Sequence, residues 1–205
     1  MNNPIEQTLT YMRERERIPV STRRATTRAR LLEAYPETRF DVFQTRIGWI
    51  GVAWTARGII ALELPRRSRA DVLKDLQNQF ADGVIADAPP QMKKELLEYA
   101  QGQRRVFDLP LDWALIKPFQ RLVLTAANKI PFGETRTYGW VAKQIGKPRA
   151  ARAVGRALAT NPIPLILPCH RVIGSNGSLT GYGGGLPLKK KLLEMESALK
   201  LEFGS

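Results

Sequence analysis

Three short apolar runs lie close together between residues 40 and 64, and they constrain the fold more than any other feature of the sequence. The runs are Phe40–Thr45, Trp49–Trp54 and Ile59–Leu64, and they are rich in β-branched and aromatic residues. Runs of this length, separated by turns that contain glycine, are typical of consecutive antiparallel strands. The sequence therefore predicts a three-stranded antiparallel meander.

Helical patterns follow these runs. Ser68–Phe80 and Pro90–Gly102 each place apolar residues at helical spacing, which predicts two helices. Pro110–Pro118 predicts a connection, and Phe119–Lys129 returns to helical periodicity before Pro131. This order predicts an α/β unit followed by a second, mainly helical unit.

A length of 205 residues suffices for one large domain or two small ones. We divide the chain into an arm rich in Arg and Thr at residues 1–30, an α/β domain at 31–110, a linker at 111–117 and a mainly helical domain at 118–205. The arm has two interpretations, a solvated tail or a segment that contacts DNA, and the sequence favours neither.

Several classes of protein are excluded by what the sequence lacks. No apolar run approaches the roughly 20 residues that span a bilayer, and the N-terminus lacks the apolar centre of a signal peptide. We therefore expect a soluble, cytoplasmic protein with no membrane partner. One cysteine and one histidine cannot form an internal disulfide or supply the usual ligands of a zinc site, so we expect no metal.

The positive charge is concentrated in the second half of the chain. The formal net charge is +13, and residues 118–200 carry thirteen Lys and Arg against three Glu, whereas residues 31–117 carry twelve basic and twelve acidic residues. Such a field attracts polyanions, which makes nucleic acid the leading partner. Ribosomal or membrane-surface binding stays open on charge alone.

Two predicted helices in the basic half have helix-turn-helix spacing. Thr137–Ile145 and Arg149–Thr160 flank the helix breaker Gly146-Lys147-Pro148. On a helical wheel the second helix carries an arginine row of Arg149, Arg152 and Arg156, with the small residues Ala150, Ala153 and Ala157 beside it. Small residues would let this helix approach a DNA backbone closely. The alternative is a solvated basic face on an ordinary helix pair.

The only cysteine lies in Pro168-Cys169-His170-Arg171-Val172, directly after the strand-like apolar run Ile163–Leu167. A lone cysteine after such a run is usually a buried, inert thiol. Here the adjacent imidazole and guanidinium could lower the pKa of the thiol and supply a nucleophilic thiolate. Glu196, at the edge of the apolar stripe of the last helix, is the best candidate to orient His170. An exposed Glu196 paired with Lys200 is the equally weighted alternative.

Three short segments near the cysteine have turn or loop composition. Asn161-Pro162 predicts a turn that ends a helix. Ser175-Asn176-Gly177 predicts a hairpin turn between Val172 and Leu179, and Gly181–Gly185 predicts a mobile loop in which Tyr182 could stack on a base.

Together these residues resemble the O6-alkylguanine-DNA alkyltransferases, also called methylated-DNA–protein-cysteine methyltransferases. The matching string comprises Phe119-Gln120, Ile130–Thr135, Tyr138-Gly139, Ala151–Gly155, Asn161-Pro162, Pro168–Val172, Gly181-Tyr182 and Glu196. The resemblance is strong over Pro118–Leu199 and weaker over Phe40–Pro110, and it does not extend to the first thirty residues.

The resemblance implies a ribonuclease-H-like α/β domain with no catalytic role, followed by a winged helix-turn-helix domain. It implies that Cys169 accepts an alkyl group from O6 of guanine, irreversibly and without a cofactor. By the same resemblance His170 deprotonates Cys169 through a water molecule, Glu196 orients His170, and Asn161 holds the turn before an active-site strand.

The resemblance also implies how DNA is handled. Arg152 would fill the space left by the flipped guanine, and Tyr138 would promote flipping and donate a hydrogen bond to the purine. The base pocket would be lined by the carbonyl of Val172 and by the loop residues Tyr182, Gly183 and Gly184. The expected partner is duplex DNA that contains O6-alkylguanine, with O4-alkylthymine as a further substrate. We expect a monomer that associates with the nucleoid of a prokaryote.

Three other functions compete with this interpretation. They are a lesion-binding protein without catalysis, a winged-helix transcription regulator and a cysteine hydrolase. Cys169 argues against the first, the motif from Pro168 to Arg171 is left unexplained by the second, and repeated turnover would distinguish the third.

Overall fold

The computed structural model of the protein describes residues 37–197, and its first half is built on a small sheet. Strands β1 (Arg39–Thr45), β2 (Gly48–Thr55) and β3 (Gly58–Arg66) form an antiparallel meander, which confirms the prediction from the three apolar runs. A short strand, β4 (Val84–Ile85), pairs in parallel with β1 at the edge of the sheet. The sequence carries no signal for β4, because two residues are too few to show alternation.

Helices α1 (Arg69–Gln79) and α2 (Pro90–Ala100) confirm the two predicted helices of the first half. Ser68 precedes α1, and its hydroxyl accepts hydrogen bonds from two backbone N–H groups of the first turn. The apolar face of α1 packs on the side of the sheet that carries Phe40 and Ile60. The opposite side of the sheet and α2 contribute to a larger core that extends into the second half of the chain. Both faces of the sheet are therefore covered.

The predicted linker at 111–117 is fixed against the edge of β3. Ile59 N–H donates to Pro110 O at 2.9 Å, and Asp112 N–H donates to Ile59 O at 2.8 Å. The Asp112 carboxylate binds Arg57 at 2.8 Å. Gly58 has a φ of +135°, and a Cβ atom there would overlap the carbonyl of Pro110. The connection is thus held by the sheet, and the division into domains stays a prediction.

The second half contains four helices of more than one turn and two very short strands within the described residues. These are α3 (Pro118–Ala127), β5 (Arg136–Thr137), α4 (Tyr138–Gln144), α5 (Ala151–Ala159), β6 (Val172–Ile173) and α6 (Leu186–Met195). Helices α3, α4 and α5 contact one another, and β5 pairs with β6 in parallel. A 3-10 helix, Cys169–Arg171, precedes β6.

The second helix of the predicted helix-turn-helix begins later than expected. It starts at Ala151, whereas Arg149 and Ala150 belong to the preceding turn, in which Ala150 N–H donates to Lys147 O at 2.8 Å. This hydrogen bond closes the turn around Pro148 before the helical hydrogen bonds of α5 begin. Of the predicted arginine row, only Arg152 and Arg156 therefore lie on α5, and Arg149 lies in the turn before it.

The apolar run Ile163–Leu167 is not a strand, and this expectation was wrong. The segment consists of buried turns, and Leu165 has a φ of +69°. Pro162, Pro164 and Pro168 have no N–H to donate to a ladder, which explains why an apolar sequence forms no strand here. Asn161 accordingly precedes a turn and not an active-site strand.

The hairpin predicted between Val172 and Leu179 is also absent, although its turn is present. Gly174 N–H donates to Ser178 O at 2.9 Å and closes the turn. Leu179 is in no strand, and β6 instead pairs with β5. The strand that pairs with β6 is therefore β5, which precedes α4 and α5 in the sequence.

Some expectations fall on residues that the structure does not describe. The arm at residues 1–30, the first residues of the α/β domain, Leu199 and Lys200 lie outside the described range. None of the helices within residues 37–197 is long and apolar enough to cross a membrane.

Candidate active site

Three consecutive side chains enter the interior from one short helix. Cys169, His170 and Arg171 form the 3-10 helix, and each is buried. Such a helix has about three residues per turn, so neighbouring side chains point in different directions. Cys169 contacts Asn161, whereas His170 and Arg171 both reach Glu196.

Glu196 directly follows α6 and is 1% exposed. Its Oε1 accepts hydrogen bonds from Tyr99 Oη at 2.7 Å, His170 Nε2 at 2.8 Å and Arg171 Nη2 at 3.0 Å, and its Oε2 accepts from Arg171 Nε at 2.8 Å. Burial raises the pKa of this carboxyl, but the hydrogen bonds and charges of His170 and Arg171 outweigh it and lower the pKa to about 2. The alternative of an exposed Glu196 is excluded by its burial.

The hydrogen bonds of His170 determine which ring nitrogen carries the proton. An ionised carboxylate can only accept, so Nε2 must be protonated to bind Glu196 Oε1. In the neutral ring Nδ1 then holds the lone pair, and this buried nitrogen has no hydrogen-bond partner within residues 37–197. Burial lowers the pKa of His170, although Glu196 opposes the shift. His170 is therefore a neutral base with one nitrogen open.

Asn161 connects the turn before the 3-10 helix to the thiol. Its Nδ2 donates to Cys169 Sγ at 3.2 Å and to Leu167 O at 2.8 Å, while its Oδ1 accepts from Ile163 N–H at 3.0 Å. The predicted turn at Asn161-Pro162 is present, and the amide that holds it also offers a donor to the sulfur. Such a donor stabilises a thiolate more than a thiol.

The pKa of the Cys169 thiol is raised, mainly by burial. The hydrogen bond from Asn161 and the charge of Lys189 oppose this shift only in part. The expectation that an adjacent guanidinium acidifies the thiol was wrong, because Arg171 binds Glu196 and donates to Ile130 O at 2.7 Å. The thiol is therefore protonated at neutral pH and requires a base to become a nucleophile.

Lys189 belongs to the site but was not predicted. Its side chain is fully buried, and Nζ donates to Val172 O at 2.6 Å and to Thr180 O at 2.8 Å. Burial lowers the pKa of Lys189 to about 8. The sequence did indicate its burial, because Lys189 lies three residues before Leu192 and four before Leu193, on the buried stripe of α6.

Tyr99 is the second residue that was not predicted. It is fully buried on α2, three residues after Leu96, and its hydroxyl binds Glu196. A tyrosine at a core position of a helix needs a partner for its hydroxyl, and that requirement was the available signal.

The predicted base-pocket residues lie in two places. The Val172 carbonyl is bound by Lys189, and Tyr182 is half-buried with its ring 6.4 Å from that of His170. The Tyr182 hydroxyl is buried and has no partner among the described residues, and burial raises its pKa well above 10. Gly183 and Gly184 instead line a pocket of about 350 Å³ beside Asn161 and the end of β3.

The arginines of the predicted helix-turn-helix are exposed. They are Arg149, Arg152 and Arg156. Ala150 and Ala153 are half-exposed near them, whereas Ala157 is buried and belongs to the core-facing side of α5, contrary to expectation. A nine-residue helix turns Ala157 toward the core together with Val154 and Leu158.

Tyr138 opens α4 and lies between α5 and the Gly181 loop. Its ring is next to Gly155, where an added Cβ would lie 3.7 Å from the ring. Its hydroxyl donates to Thr180 O at 3.2 Å. The tyrosine therefore packs against α5 at Gly155, the residue before the exposed Arg156.

No cluster of three His, Cys, Asp or Glu side chains that could hold a metal ion occurs in the part of the chain that the structure describes. The site consists of one thiol, one imidazole, one carboxylate and their hydrogen-bond partners.

Comparison with known families gives one match to a family model. The model of the 6-O-methylguanine DNA methyltransferase DNA-binding domain matches residues 118–198. The match includes α4, α5, the 3-10 helix and Glu196.

Individual relatives extend the similarity over most of the chain. The inducible methylated-DNA–protein-cysteine methyltransferase of Bacillus subtilis is 34% identical over 74% of this chain and 86% of its own length. The methylated-DNA–protein-cysteine methyltransferase of Methanosarcina barkeri is 42% identical over 77% of this chain and 96% of its own length. The crystal structure of Mycobacterium tuberculosis OGT in complex with DNA is similar with a TM-score of 0.67 and 39% identity, covering 78% of this chain and 93% of that one.

The Glu196 network predicts how stability depends on pH. In Glu196→Gln we expect the free energy of unfolding at pH 7 to fall by about 3–5 kcal/mol, because Arg171 stays buried without its charge partner. The folded-state pKa of about 2 lies below the ordinary value of 4.5. The stabilisation is therefore complete above pH 4.5 and is lost as the pH falls toward 2.

Urea denaturation between pH 7 and pH 2 measures this effect. The control is Glu194→Gln on the same helix, where a more exposed ion pair with Lys190 spans 3.7 Å, and we expect a loss of less than about 1 kcal/mol. Equal losses in the two variants, or a difference for Glu196→Gln that stays constant down to pH 2, would contradict the account.

Proposed function

The chain belongs to the methylated-DNA–protein-cysteine methyltransferase family, and from this premise we propose that Cys169 is the cysteine onto which it moves an alkyl group from O6 of guanine in DNA. Cys169 is the only cysteine of the sequence. The observation that carries the assignment is that its buried sulfur accepts a hydrogen bond from Asn161, while the next residue, His170, is bound by Glu196. Family membership disfavours two of the competing functions, a regulator of transcription and a cysteine hydrolase, because neither function requires the motifs that define this family.

The reaction is a displacement at the alkyl carbon. The thiol of Cys169 loses its proton to His170 through a water molecule, the sulfur forms a bond to the alkyl carbon, and the bond from that carbon to O6 breaks as guanine leaves with the electron pair. A thiolate suits a saturated carbon centre, and no cofactor takes part. Water does not cleave the thioether that results, so each molecule reacts once.

We assign the role of base to Nδ1 of His170. Nε2 is committed to Glu196, and Nδ1 is the nitrogen with an open lone pair. When the ring takes up the thiol proton, the carboxylate of Glu196 stabilises the imidazolium. Asn161 donates to the sulfur as its charge develops, and the charge of Lys189 favours the thiolate.

For the fold, we propose that residues 118–205 form a winged helix-turn-helix domain and that the first half is a ribonuclease-H-like domain. Helices α4 and α5 with the turn between them support the first assignment. The sheet with α1 on one face supports the second. The segment at 111–117 would be the connection between the two.

We propose that α5 and its preceding turn bind double-stranded DNA in the minor groove. Arg149, Arg152 and Arg156 are exposed, and the half-exposed Ala150 and Ala153 would allow close approach. O6 of guanine faces its pairing partner within the duplex, so a protein thiol reaches it only when the nucleotide is flipped out. Arg152 would fill the space that the guanine leaves.

The flipped base would enter the site past Tyr138. The Tyr138 hydroxyl would lose its hydrogen bond to Thr180 O and donate a hydrogen bond to the purine instead. Val172 and Tyr182 would line the pocket for the base, whereas Gly183 and Gly184, which were predicted with them, line the separate pocket beside Asn161. The Val172 carbonyl, which accepts a hydrogen bond from Lys189, would face the purine.

Replacing the nucleophile tests the assignment of Cys169. In Cys169→Ala we expect alkyl transfer to be undetectable, while the affinity for a duplex with one O6-methylguanine stays within roughly threefold of wild type, since no DNA-facing residue changes. Transfer is measured by loss of the modified base, and affinity by fluorescence anisotropy. Transfer that persists in Cys169→Ala would exclude Cys169 as the acceptor.

Replacing Arg152 tests the flipping role. In Arg152→Ala we expect the rate with duplex substrate to fall roughly tenfold or more, and the rate with the free base O6-benzylguanine to stay within about twofold, because only the duplex must be opened. Single-turnover kinetics with both substrates measure this. Arg156→Ala, on the same exposed face, is the control, and we expect a salt-dependent loss of affinity with a nearly normal rate at saturation. Equal losses for duplex and free base in Arg152→Ala would remove the proposed role.

A further inference from the structure

One side chain from the first half of the chain reaches the centre of the proposed catalytic network. Tyr99 lies in the last turn of α2, and its hydroxyl is 2.7 Å from Glu196 Oε1 and 3.3 Å from His170 Nε2. The residue is fully buried and lies 97 positions before Glu196. The family resemblance gives the first half no catalytic role, so this contact is not explained by the function assigned to that half.

Two aromatic contacts fix the ring of Tyr99 and therefore the direction of its hydroxyl. It packs against Phe107 with 5.2 Å between ring centroids and edge-on against Phe132 at 6.4 Å. Burial and the negative charge of Glu196 raise the pKa of the phenol well above 10. The hydroxyl therefore keeps its proton and acts as a donor to the carboxylate.

We propose that Tyr99 is a positioning residue for alkyl transfer. Its hydroxyl and His170 Nε2 both bind Glu196 Oε1. Through this shared oxygen, Tyr99 sets the orientation of the imidazole and the strength with which the imidazole holds a proton. The inference rests on the proposed roles of His170 as base and Glu196 as its partner. The ionised Glu196 fixes the tautomer of His170, and Tyr99 tunes how strongly that carboxylate supports the imidazolium.

The direction of this tuning follows from the distances. A hydrogen bond donated to Oε1 withdraws charge from the oxygen that stabilises protonated His170, and so lowers the proton affinity of the ring. The Tyr99 oxygen could also accept from Nε2, which would act in the opposite direction. The contact to Glu196 is shorter by 0.6 Å, the difference between 3.3 and 2.7 Å, so donation dominates.

Other charged and titratable groups also face this pair. Arg171 comes from the 3-10 helix, Lys189 from α6 and Tyr182 from the loop before it. Arg171 and Lys189 lower the pKa of His170 in addition to its burial. None of these groups is altered by a change at Tyr99 that keeps the ring, so such a change isolates the hydroxyl.

A purely structural role makes a different prediction. If Tyr99 served only to fill space between Phe107 and Phe132, its ring would suffice and the hydroxyl would leave the titration of His170 unaffected. The titration of His170 therefore separates the two roles, whereas stability alone would not.

The sequence allows a direct measurement, because His170 is the only histidine. In the full chain without a histidine tag, labelled with ¹⁵N-histidine, one imidazole gives one set of NMR signals that report both tautomer and pKa. In Tyr99→Phe we expect the pKa of His170 to rise by about half a unit or more. We expect the rate of transfer from O6-methylguanine duplex at pH 7 to fall roughly threefold to tenfold, because the loss of the imidazole's orientation outweighs its higher proton affinity.

Tyr138→Phe is the matched control for the titration, since it removes a phenol hydroxyl that binds Thr180 O and not Glu196, and we expect a His170 titration like that of wild type. If Tyr99→Phe does not fold, 3-fluorotyrosine at position 99 keeps the shape and makes a stronger donor. The pKa of His170 should then fall. An unchanged His170 titration in Tyr99→Phe or in the fluorotyrosine protein, with or without a slower rate, would overturn the inference.

Glu196→Gln distinguishes this failure from a failure of the proposed function. Removing the negative charge should lower the pKa of His170, which is opposite in sign to the effect of Tyr99→Phe. If Glu196→Gln leaves the titration of His170 and the transfer rate unchanged, the assignment of Glu196 itself is wrong. If only the tyrosine variants leave the titration unchanged, the role of Tyr99 alone is wrong.

Discussion

A carboxylate in a protein interior is stable only when hydrogen bonds and charges replace the water it has lost. Glu196 meets this condition through Tyr99, His170 and Arg171, which come from α2 and from the 3-10 helix. One carboxylate thus joins the first half of the chain, the short helix that carries the cysteine and the end of α6. The tautomer of His170 and the burial of Arg171 both depend on it.

The state of the thiol follows from the same burial. Burial raises the pKa of Cys169. Asn161 and Lys189 favour the thiolate, but their effect is smaller than that of burial, so the thiol keeps its proton at neutral pH. A cysteine that can be alkylated only once gains from this arrangement, because an exposed thiolate would react with any electrophile or oxidant. In the proposed mechanism, reactivity then depends on His170 as the base and on a substrate that reaches the interior.

Local patterns predicted the parts of the fold that local sequence determines. The strands between Phe40 and Leu64 and the two helices after them follow from spacing and composition. Patterns failed where long-range packing or proline decided the outcome. Ile163–Leu167 is apolar because it is buried, yet prolines on both sides prevent a ladder. Cys169 and His170 were predicted from their motif and Glu196 from the edge of an apolar helical stripe. For Tyr99 and Lys189 the sequence indicates only a buried helix face, and their partners follow from packing with other elements.

The central claim is that Cys169 itself receives the alkyl group in a reaction that consumes the protein. Intact-protein mass spectrometry, followed by peptide mapping, tests it after the chain is mixed with a duplex that contains one O6-methylguanine. The account predicts a single mass gain of about 14 Da, the replacement of hydrogen by methyl. The gain should map to Cys169 and equal the amount of guanine restored. An unchanged mass with tight binding to the same duplex would contradict it and indicate a lesion-binding protein, and a gain on another residue would contradict the assignment of Cys169.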